Sequence, residues 1–234
     1  MLNLSAVHKS RGTGSQRYSL VIPALQLRAG EQLAIVGPSG CGKSTLLDLL
    51  ALVLAPDHVR QFEFHQADIG GLWRADQQST LAALRRQHLG YVLQTGGLLG
   101  FLDVRSNIAL SRQLLGLQDD GSVARLAQQL EISDQLAKKP ADLSVGQRQR
   151  VSCARALAHA PQLVLADEPT ASLDPLNAER VMQALLAQAR EQRAACVIAT
   201  HDEPLARASG LQVRRIGCRR DPDGGVTAML GEVC

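Results

Sequence analysis

The sequence predicts an α/β fold, because short apolar runs of the buried-strand type alternate along the chain with segments of helical pattern. Three of these apolar runs are followed directly by residues that can bind a ligand. A glycine-rich loop follows residues 33–36, two carboxylates follow residues 163–166, and a histidine follows residues 196–200. Open α/β sheets bind ligands at the carboxyl ends of their strands. These strand ends therefore predict a ligand site.

Composition limits the function classes. The 234 residues suffice for one large domain, and 45% hydrophobic with 20% charged residues is typical of a soluble globular protein. Aromatic residues make up only 3%, and the net charge of +3 comes without a long basic run. Stacking platforms and basic patches for nucleic acid are therefore scarce, and we expect no nucleic acid partner.

The cysteines and the apolar stretches predict a cytosolic protein. An odd, scattered set without a C-x-x-C pair indicates reduced thiols rather than disulfides or a zinc site. No secretory signal pattern opens the chain, and the longest apolar stretch, 46–55, is too short to cross a bilayer. Any membrane role must therefore come through a partner. The five cysteines are Cys41, Cys153, Cys196, Cys218 and Cys234.

The first 36 residues predict strands and turns. Alternation of Leu2, Leu4 and Ala6 with polar residues favours one strand, and residues 18–27 favour another after a glycine- and serine-rich loop. A turn at residues 29–30 then leads into the strand that precedes the glycine-rich loop.

The glycine-rich loop has the phosphate-binding pattern G-x-x-x-x-G-K-[ST] between a strand and a helix-forming segment. Its glycines let backbone N–H groups point inward, and the helix N-terminus adds positive potential. In this motif Lys43 reaches the β- and γ-phosphates and Ser44 ligates Mg²⁺. Cys41 is either a redox-sensitive thiol or a small space-filling residue, and the backbone role of the loop favours the second. The phosphate loop comprises Gly37, Pro38, Ser39, Gly40, Cys41, Gly42, Lys43, Ser44 and Thr45.

The middle of the chain continues the alternation. The helix after the phosphate loop is expected to end at residues 56–58, and Phe62 and Phe64 predict a short strand closed by the glycines at 70–71. Residues 81–86 favour a short helix, and residues 89–93 a buried strand with Gln94 at its exit.

Four further helices are predicted from apolar periodicity. Two lie near residues 104–115 and 123–130, with Asp103 and Ser122 as N-caps. A third begins within residues 143–150 and runs to about His159, and a fourth runs from Pro175 to about Gln192 with Asp174 as N-cap. Residues 221–225 then predict a β-hairpin turn between strands at 211–216 and 226–230.

Polar groups at the strand exits suit nucleotide hydrolysis. Asp167 comes directly after four apolar residues, which is the pattern of the strand-end aspartate that holds Mg²⁺ in nucleotide hydrolases. Its neighbour Glu168 is then placed to polarise a water aimed at the γ-phosphate. The alternative for this acidic pair is an ordinary helix cap. Gln94 could touch Mg²⁺ and the attacking water, or be a solvated loop residue. His201 could bond the γ-phosphate, or be a structural cap.

Together these elements resemble an ATP-binding cassette ATPase over essentially the whole chain. The most specific is residues 143–147, Leu-Ser-Val-Gly-Gln, followed by Arg-Gln-Arg. The resemblance implies a P-loop NTPase (RecA-like) core with an antiparallel β-subdomain and an inserted α-helical subdomain. It implies one domain over 1–234, with the core and β-subdomain in 1–94 and 151–234 and the helical subdomain in 95–150. The other motifs that carry it are the phosphate loop, Gln94, 163–168, 172–174 and His201.

The resemblance also implies an ATPase that uses ATP and Mg²⁺ in a head-to-tail homodimer. Each ATP would lie between the phosphate loop of one chain and the signature segment of the other, with Asp174 at the interface. Dimer closure would then follow ATP binding. The implied catalytic residues are Glu168, His201 and Gln94, the Mg²⁺ ligands Ser44, Gln94 and Asp167, and the signature contacts Ser144, Gly146 and Gln147.

Two positions depart from the family pattern. Val145 replaces the first glycine of the signature, and we expect the anion contact to survive because Gly146 remains. The family stacks adenine on an aromatic residue upstream of the phosphate loop, but residues 3–14 contain none. Tyr18 is the nearest candidate, and its alternative is a strand residue facing the core.

Among such ATPases the chain looks like the short stand-alone group of lipoprotein release and macrolide export, notably in residues 84–94. The resemblance implies a separate integral-membrane permease and a peripheral location on the cytoplasmic face of the inner membrane. Residues 96–102, which we call the docking segment, would receive the permease, or alternatively form a buried loop. Two functions stay open: export or release of a lipophilic substrate, and a non-transporting ATPase that activates a periplasmic enzyme.

Overall fold

The computed structural model describes residues 1–233, which contain ten strands and eight α-helices. The strands are β1 Leu2–Arg11, β2 Tyr18–Leu27, β3 Gln32–Val36, β4 His58–Phe64, β5 Ala67–Asp68, β6 Leu89–Val92, β7 Leu163–Asp167, β8 Ala195–Thr200, β9 Gln212–Arg220 and β10 Val226–Val233. The helices are α1 Lys43–Leu50, α2 Ile69–Arg74, α3 Gln78–His88, α4 Val104–Leu114, α5 Ser122–Gln129, α6 Val145–Leu157, α7 Pro175–Glu191 and α8 Glu203–Ala208.

The chain divides into two compact units, which we call the first and the second unit. The first combines residues 1–84 with the segment that starts at Ala199, and the second comprises Arg85–Ile198. The first unit is therefore assembled from both ends of the chain. The predicted division with a helical subdomain at 95–150 stays a prediction.

The first unit is built on strands in the order β5-β4-β1-β2-β10-β9-β3. The run from β5 to β2 is antiparallel, whereas β10 pairs with β2, and β9 with β3, in parallel. Leu2 and Leu4 of β1 and Phe62 and Phe64 of β4 are buried at alternate positions, as expected for strands with one face on a core. The alternation is interrupted at the exposed Ala6 of β1 and within β2. Helix α2 packs on β4, and α8 packs on β3 and β9.

The second unit is built on strands in the order β8-β7-β6, with β6 and β7 parallel. Strands β7 and β8 are buried at every position, the pattern of strands covered on both faces. Helix α6 lies at the centre of the helical part and contacts α4, α5, α7 and β6. Gly90 is required on β6, because a Cβ there would lie 2.1 Å from the Ala156 carbonyl oxygen.

Most sequence predictions of elements are confirmed, with small shifts at most ends. The helix after the phosphate loop, however, ends at Leu50 and not at residues 56–58 as predicted, since β4 already begins at His58. Asp103 caps α4 and Asp174 caps α7, each accepting a hydrogen bond from a backbone N–H in the first turn. The hairpin turn at 221–225 joins antiparallel β9 and β10, and Asp221 N donates to Gly225 O at 2.8 Å.

Two predictions were wrong for local reasons. Ser122 is not an N-cap but the first residue of α5, because Asp120 accepts its backbone N–H at 2.9 Å and Gly121 takes the cap position. The glycines at 70–71 do not close a strand but lie in α2, because the Asp68 carboxylate accepts the Gly71 N–H at 3.0 Å and starts a helix. None of the helices in the described part of the chain is long and apolar enough to cross a membrane.

Candidate functional site

The phosphate loop joins β3 to α1 in the first unit. Gly40 and Gly42 have φ of 78° and 94°, conformations that favour glycine, and Gly42 is the N-cap of α1. The Lys43 ammonium donates to the carbonyl oxygens of Gly37 at 2.9 Å and Pro38 at 3.2 Å, so it braces the loop from inside. Lys43 is buried, whereas Ser44 is exposed at the start of α1.

Tyr18 packs directly against this loop. Its hydroxyl donates to the Cys41 carbonyl oxygen at 2.9 Å, and a Cβ built on Gly42 would lie 1.6 Å from the hydroxyl oxygen. Burial raises the pKa of Tyr18, with smaller contributions from the neighbouring Cys218 and Cys41. The ring therefore supports the loop backbone. Neither sequence interpretation of Tyr18 included that role.

Cys41 fills space, as the favoured interpretation expected. It is 2% exposed, and its Sγ would lie 2.6 Å from a Cβ built on Gly37, so sulfur occupies the room that glycine leaves. Cys153 and Cys196 are fully enclosed, and burial raises the pKa of each thiol to about 12. Among the residues described, all four cysteines are free thiols. Cys234 lies outside the described residues.

The second unit brings Gln94 and Glu168 together. Both line one cleft of about 250 Å³, together with the start of α6 and the segment that leads to α7. Asp167 ends β7 and is 8% exposed, and Glu168 follows with a positive φ of 46°. A turn bond from Ala171 N to Glu168 O follows at 3.2 Å, so the chain leaves the strand sharply. The strand end thus presents one buried and one accessible carboxylate.

Helix α6 begins at the same cleft with a capping box. The Ser144 hydroxyl accepts the Gln147 N–H at 3.2 Å, and the Gln147 side chain accepts the Ser144 N–H at 2.9 Å. Val145 follows the cap and is 44% exposed. Because the Ser144 hydroxyl oxygen accepts from Gln147, its proton stays available to donate a further hydrogen bond. The helix start therefore combines a hydroxyl donor with N-terminal positive potential.

Asp174 caps α7 and stays ionised. Its carboxylate accepts from the backbone N–H of Asn177 at 3.1 Å and from the side-chain amide at 2.6 Å. These hydrogen bonds from Asn177 lower the pKa of Asp174, the side-chain bond most. The position is exposed, so a charged cap remains available on the surface.

His201 follows β8 in the first unit with an exposed side chain. The cap of α8 is its neighbour Asp202, whose carboxylate accepts the Leu205 N–H at 2.9 Å. The alternative interpretation of His201 as a helix cap was therefore wrong, and its role toward phosphate stays a prediction.

The predicted Mg²⁺ ligands carry the hard oxygen donors that this ion prefers, a hydroxyl on Ser44 of the first unit and an amide and a carboxylate on Gln94 and Asp167 of the second. Their role as ligands stays a prediction. Within residues 1–233 there is no group of three or more His, Cys, Asp or Glu side chains that could hold a metal by themselves.

The docking segment is held by residues that sequence reasoning missed. The buried Asn107 amide bonds the backbone of Leu99 in both directions, at 2.8 and 3.1 Å, and donates to Leu102 O and Asp103 O. Arg155 donates to the carbonyl oxygens at the two glycines, 96 and 97. In the sequence, the only sign of this support was that Asn107 is a polar residue on the apolar face of α4.

The side chains of this segment are partly accessible. Leu98, Leu99 and Leu102 are half-buried, whereas Phe101 is 75% exposed. The Lys139 ammonium donates to Phe101 O at 2.8 Å and fixes the backbone beneath the ring. The segment is thus an anchored loop that presents one aromatic ring outward.

Comparison with known proteins identifies the family. Residues 22–171, well over half of the chain, match the ABC transporter family. The chain belongs to the ABC transporter family. The predicted resemblance to an ATP-binding cassette ATPase is confirmed, and the chain is an ATP-binding ATPase of this kind.

Curated relatives of this ABC protein include two kinds. The lipoprotein-releasing system ATP-binding protein LolD 1 of Rhodospirillum rubrum is 40% identical over 213 residues, covering 88% of this chain and 91% of the relative. The macrolide export ATP-binding/permease protein MacB 1 of Aeromonas hydrophila is 38% identical over 217 residues, but these make up only 32% of that relative.

Solved ABC structures confirm the fold. The dimeric post-hydrolysis state of the ATP-binding cassette MJ0796, bound to ADP and Pi, matches with a TM-score of 0.82 and 30% identity, covering 97% of this chain and 96% of that one. A second dimeric structure of the same cassette matches with a TM-score of 0.80. The predicted P-loop α/β core with its antiparallel and helical parts is therefore the fold of this chain.

Proposed function

We propose that this chain is the ATP-hydrolysing subunit of a system that exports or releases a lipophilic substrate, and that ATP-driven closure of its homodimer drives a separate permease. The observation that carries this proposal is the cleft that Gln94 and Glu168 line together at the end of β7. A carboxylate that can accept a proton from water and an amide that can orient that water lie side by side there. The similarity to LolD and MacB supports the substrate class.

In the proposed reaction, the phosphate loop binds the triphosphate, and Lys43 exchanges its bonds to Gly37 O and Pro38 O for β- and γ-phosphate oxygens. Glu168 accepts a proton from the attacking water as the new oxygen–phosphorus bond forms and the bond to the β-phosphate oxygen breaks. Gln94 orients that water, and His201 hydrogen-bonds the γ-phosphate.

Ser44, Asp167 and Gln94 are the residues that would hold Mg²⁺, which would supply positive charge to offset that of the phosphates. The buried carboxylate of Asp167 suits this role, because a cation offsets the cost of keeping its charge from water. The accessible Glu168 is left to act on water. The two neighbouring carboxylates thus have separate tasks, set by their different burial.

The proposed dimer completes each site from two chains. Ser144, Gly146 and Gln147 of one subunit would meet the γ-phosphate bound by the other, with Asp174 at the interface. The capping box supports this role, because it holds the start of α6 in place and uses the Ser144 hydroxyl only as an acceptor, which leaves its proton available to donate. The solved ABC relatives are themselves dimers.

The proposed permease docks on residues 96–102, which would keep the chain at the cytoplasmic face of the inner membrane. The exposed Phe101 supports this role, because a single outward aromatic on an anchored loop is suited to insert between the side chains of a partner.

Replacement of Glu168 by Gln tests the catalytic proposal. The amide keeps the size of the side chain but cannot accept the proton, so we expect ATP hydrolysis to fall by at least about 10³-fold while ATP binding is retained. Phosphate release and equilibrium ATP binding are the measurements. Glu179→Gln, on the exposed face of α7, is the matched control. Hydrolysis near the normal rate in Glu168→Gln would remove this residue from the base role.

Copurification from solubilised membranes tests the partner. Tagged Glu168→Gln chain with ATP is expected to retain a permease with a large periplasmic part, and Leu99→Asp with Phe101→Asp is expected to lose it. Leu114→Asp with Leu117→Asp is the control, since these leucines are 60% and 45% exposed elsewhere in the second unit. Retention of the permease by the first pair would contradict docking at residues 96–102. A permease partnered with a cell-wall hydrolase would favour the signalling function.

A further inference from the structure

One buried amide of helix α6 lacks a hydrogen-bond partner. Gln149, in the second turn of α6, is only 7% exposed, and it lines the same cleft as Gln94 and Glu168. Its Nε2 atom is enclosed and has no acceptor anywhere in the described part of the chain. Leaving a buried donor unpaired is unfavourable, so this amide needs an acceptor that it lacks here.

The next residues on the same face of α6 do have acceptors. Three residues after Gln149, the Ser152 hydroxyl donates to Gly96 O at 2.8 Å. Three residues further, the Arg155 guanidinium donates to Gly96 O at 3.1 Å and to Gly97 O at 2.7 Å. Residues at this spacing follow one another along one face of a helix. Helix α6 therefore bonds the loop at residues 96–97 along this face, and Gln149 continues the face toward the cleft.

The backbone of the adjoining loop already has its hydrogen bonds. Gly96 N donates to Leu93 O at 2.8 Å and closes a turn that contains Gln94. This turn lies close to the amide, since a Cβ built on Gly96 would be 4.0 Å from Gln149 Oε1. The acceptor for the amide is therefore to be found among the other residues of the cleft.

Glu168 offers the strongest acceptor in the cleft. Among the described residues that line it, Glu168 is the one with a carboxylate, and the neighbouring Arg148 guanidinium donates to Leu143 O. A hydrogen bond to a carboxylate is about twice as strong as one between neutral groups. The cleft of about 250 Å³ has room for several waters, so the amide can meet the carboxylate directly or across one water.

We propose that Gln149 is a positioning residue, whose amide donates to the Glu168 carboxylate during hydrolysis and holds it toward the attacking water. This rests on the proposed role of Glu168 as general base. One carboxylate oxygen accepts from Gln149, which leaves the other for the proton of the water. A general base must lie within hydrogen-bond reach of the proton that it takes, so the bond supports turnover and not ATP binding.

Gln149→Met tests this role in the full chain, because methionine has a similar size but cannot donate. The kcat of ATP hydrolysis is expected to fall about ten- to a hundredfold, the loss of one hydrogen bond to a charged group, while KM and ATP affinity stay unchanged. Denaturant unfolding is expected to show equal or greater stability, since a buried unpaired donor has been removed. Gln149→Glu keeps size and polarity without the donor, and its kcat should fall at least as far.

Gln188→Met is the matched control. Gln188 is also 7% exposed, but its amide donates to Glu191 Oε2 at 3.2 Å. This variant loses an existing hydrogen bond far from the cleft lining, so we expect lower stability with an unchanged kcat. The two glutamines should therefore change stability and turnover in opposite ways.

Three results would overturn the proposal. An unchanged kcat in Gln149→Met would show that hydrolysis does not use the amide, and a normal kcat in Gln149→Glu would show that no donor is needed. A loss of stability in Gln149→Met would show that the amide is bonded in the resting chain and is structural. Glu168→Gln separates these failures from failure of the proposed function, because near-normal hydrolysis in that variant would dismiss the base itself.

Discussion

At the scale of single residues, both the backbone conformation and the packing around Gly42 require a residue without a side chain. Its φ of 94° favours glycine, and the Tyr18 hydroxyl occupies the position of a side chain. Gly40 shares the positive φ, but a Cβ there would meet nothing within 4 Å. A side chain at Gly40 would therefore meet only conformational strain, whereas a side chain at Gly42 would meet both strain and a steric clash with Tyr18.

Gly42→Ala is expected to destabilise the chain more than Gly40→Ala. The conformational cost alone is about 1–2 kcal/mol at either position, and the conflict with Tyr18 adds about 1–3 kcal/mol at Gly42. Denaturant unfolding measures the difference. Tyr18→Ala combined with Gly42→Ala should recover the steric part only. Equal losses for the two single variants would show that Tyr18 moves aside at no cost.

At the scale of elements, the docking segment depends on one buried amide of α4. Asn107→Ala leaves backbone groups of Leu99, Leu102 and Asp103 without the bonds they have now. Because the amide is fully buried, we expect a loss of about 2–4 kcal/mol in the free energy of unfolding. Arg105→Ala, exposed on the same helix, should change it by less than about 0.5 kcal/mol. A similar loss in both variants would assign the effect to α4 as a whole.

Elements with strong apolar periodicity were predicted well, because burial dominates there. The runs that became β7 and β8 and the helices capped by Asp103 and Asp174 follow directly from the sequence. Errors arose where a short side chain bonds its own neighbourhood, as Asp120 does before α5. Such side-chain to backbone hydrogen bonds decide where a helix begins over a single turn. A hydropathy pattern does not reveal them, so the sequence analysis misplaced those helix starts.

The candidate site was predictable where a motif encodes it and not where distant residues meet. The phosphate loop and the Asp167-Glu168 strand end follow from local pattern. The hydrogen bond between Tyr18 and Cys41 and the support of residues 96–102 by Asn107 depend on register and packing between separate elements. Local sequence does not specify those long-range contacts.

At the scale of the whole molecule, a buried histidine couples stability to pH. His159 Nε2 donates to Leu89 O at 3.1 Å, and its buried Nδ1 has no hydrogen-bond partner within residues 1–233. Burial lowers the pKa of His159, and the nearby Arg112 and His88 lower it further, while the bond to Leu89 opposes them. A proton on this ring would place an unpaired charge in the interior.

Stability is therefore expected to fall as pH drops below about 6.5, the pKa of an unperturbed histidine. In that range the unfolded chain binds a proton that the folded chain does not, so unfolding gains up to about 1.4 kcal/mol per pH unit. His159→Gln, which keeps an N–H donor, should lack this part of the slope between pH 7 and pH 5. His65→Gln is the exposed control. An unchanged slope in His159→Gln would contradict this assignment.

Because the first unit combines the beginning and the end of the chain, it can be completed only late in synthesis. Its sheet requires β10, whose Val226 pairs with Tyr18 of β2. A ribosome therefore makes the phosphate loop early but delivers the strands that complete its sheet last. The second unit is continuous in sequence and is available to fold while the chain is still being made. A chain truncated after Ile198 contains every residue of the phosphate loop but lacks β9, the strand that pairs with β3 before that loop, so we expect it to bind nucleotide more weakly than the whole chain.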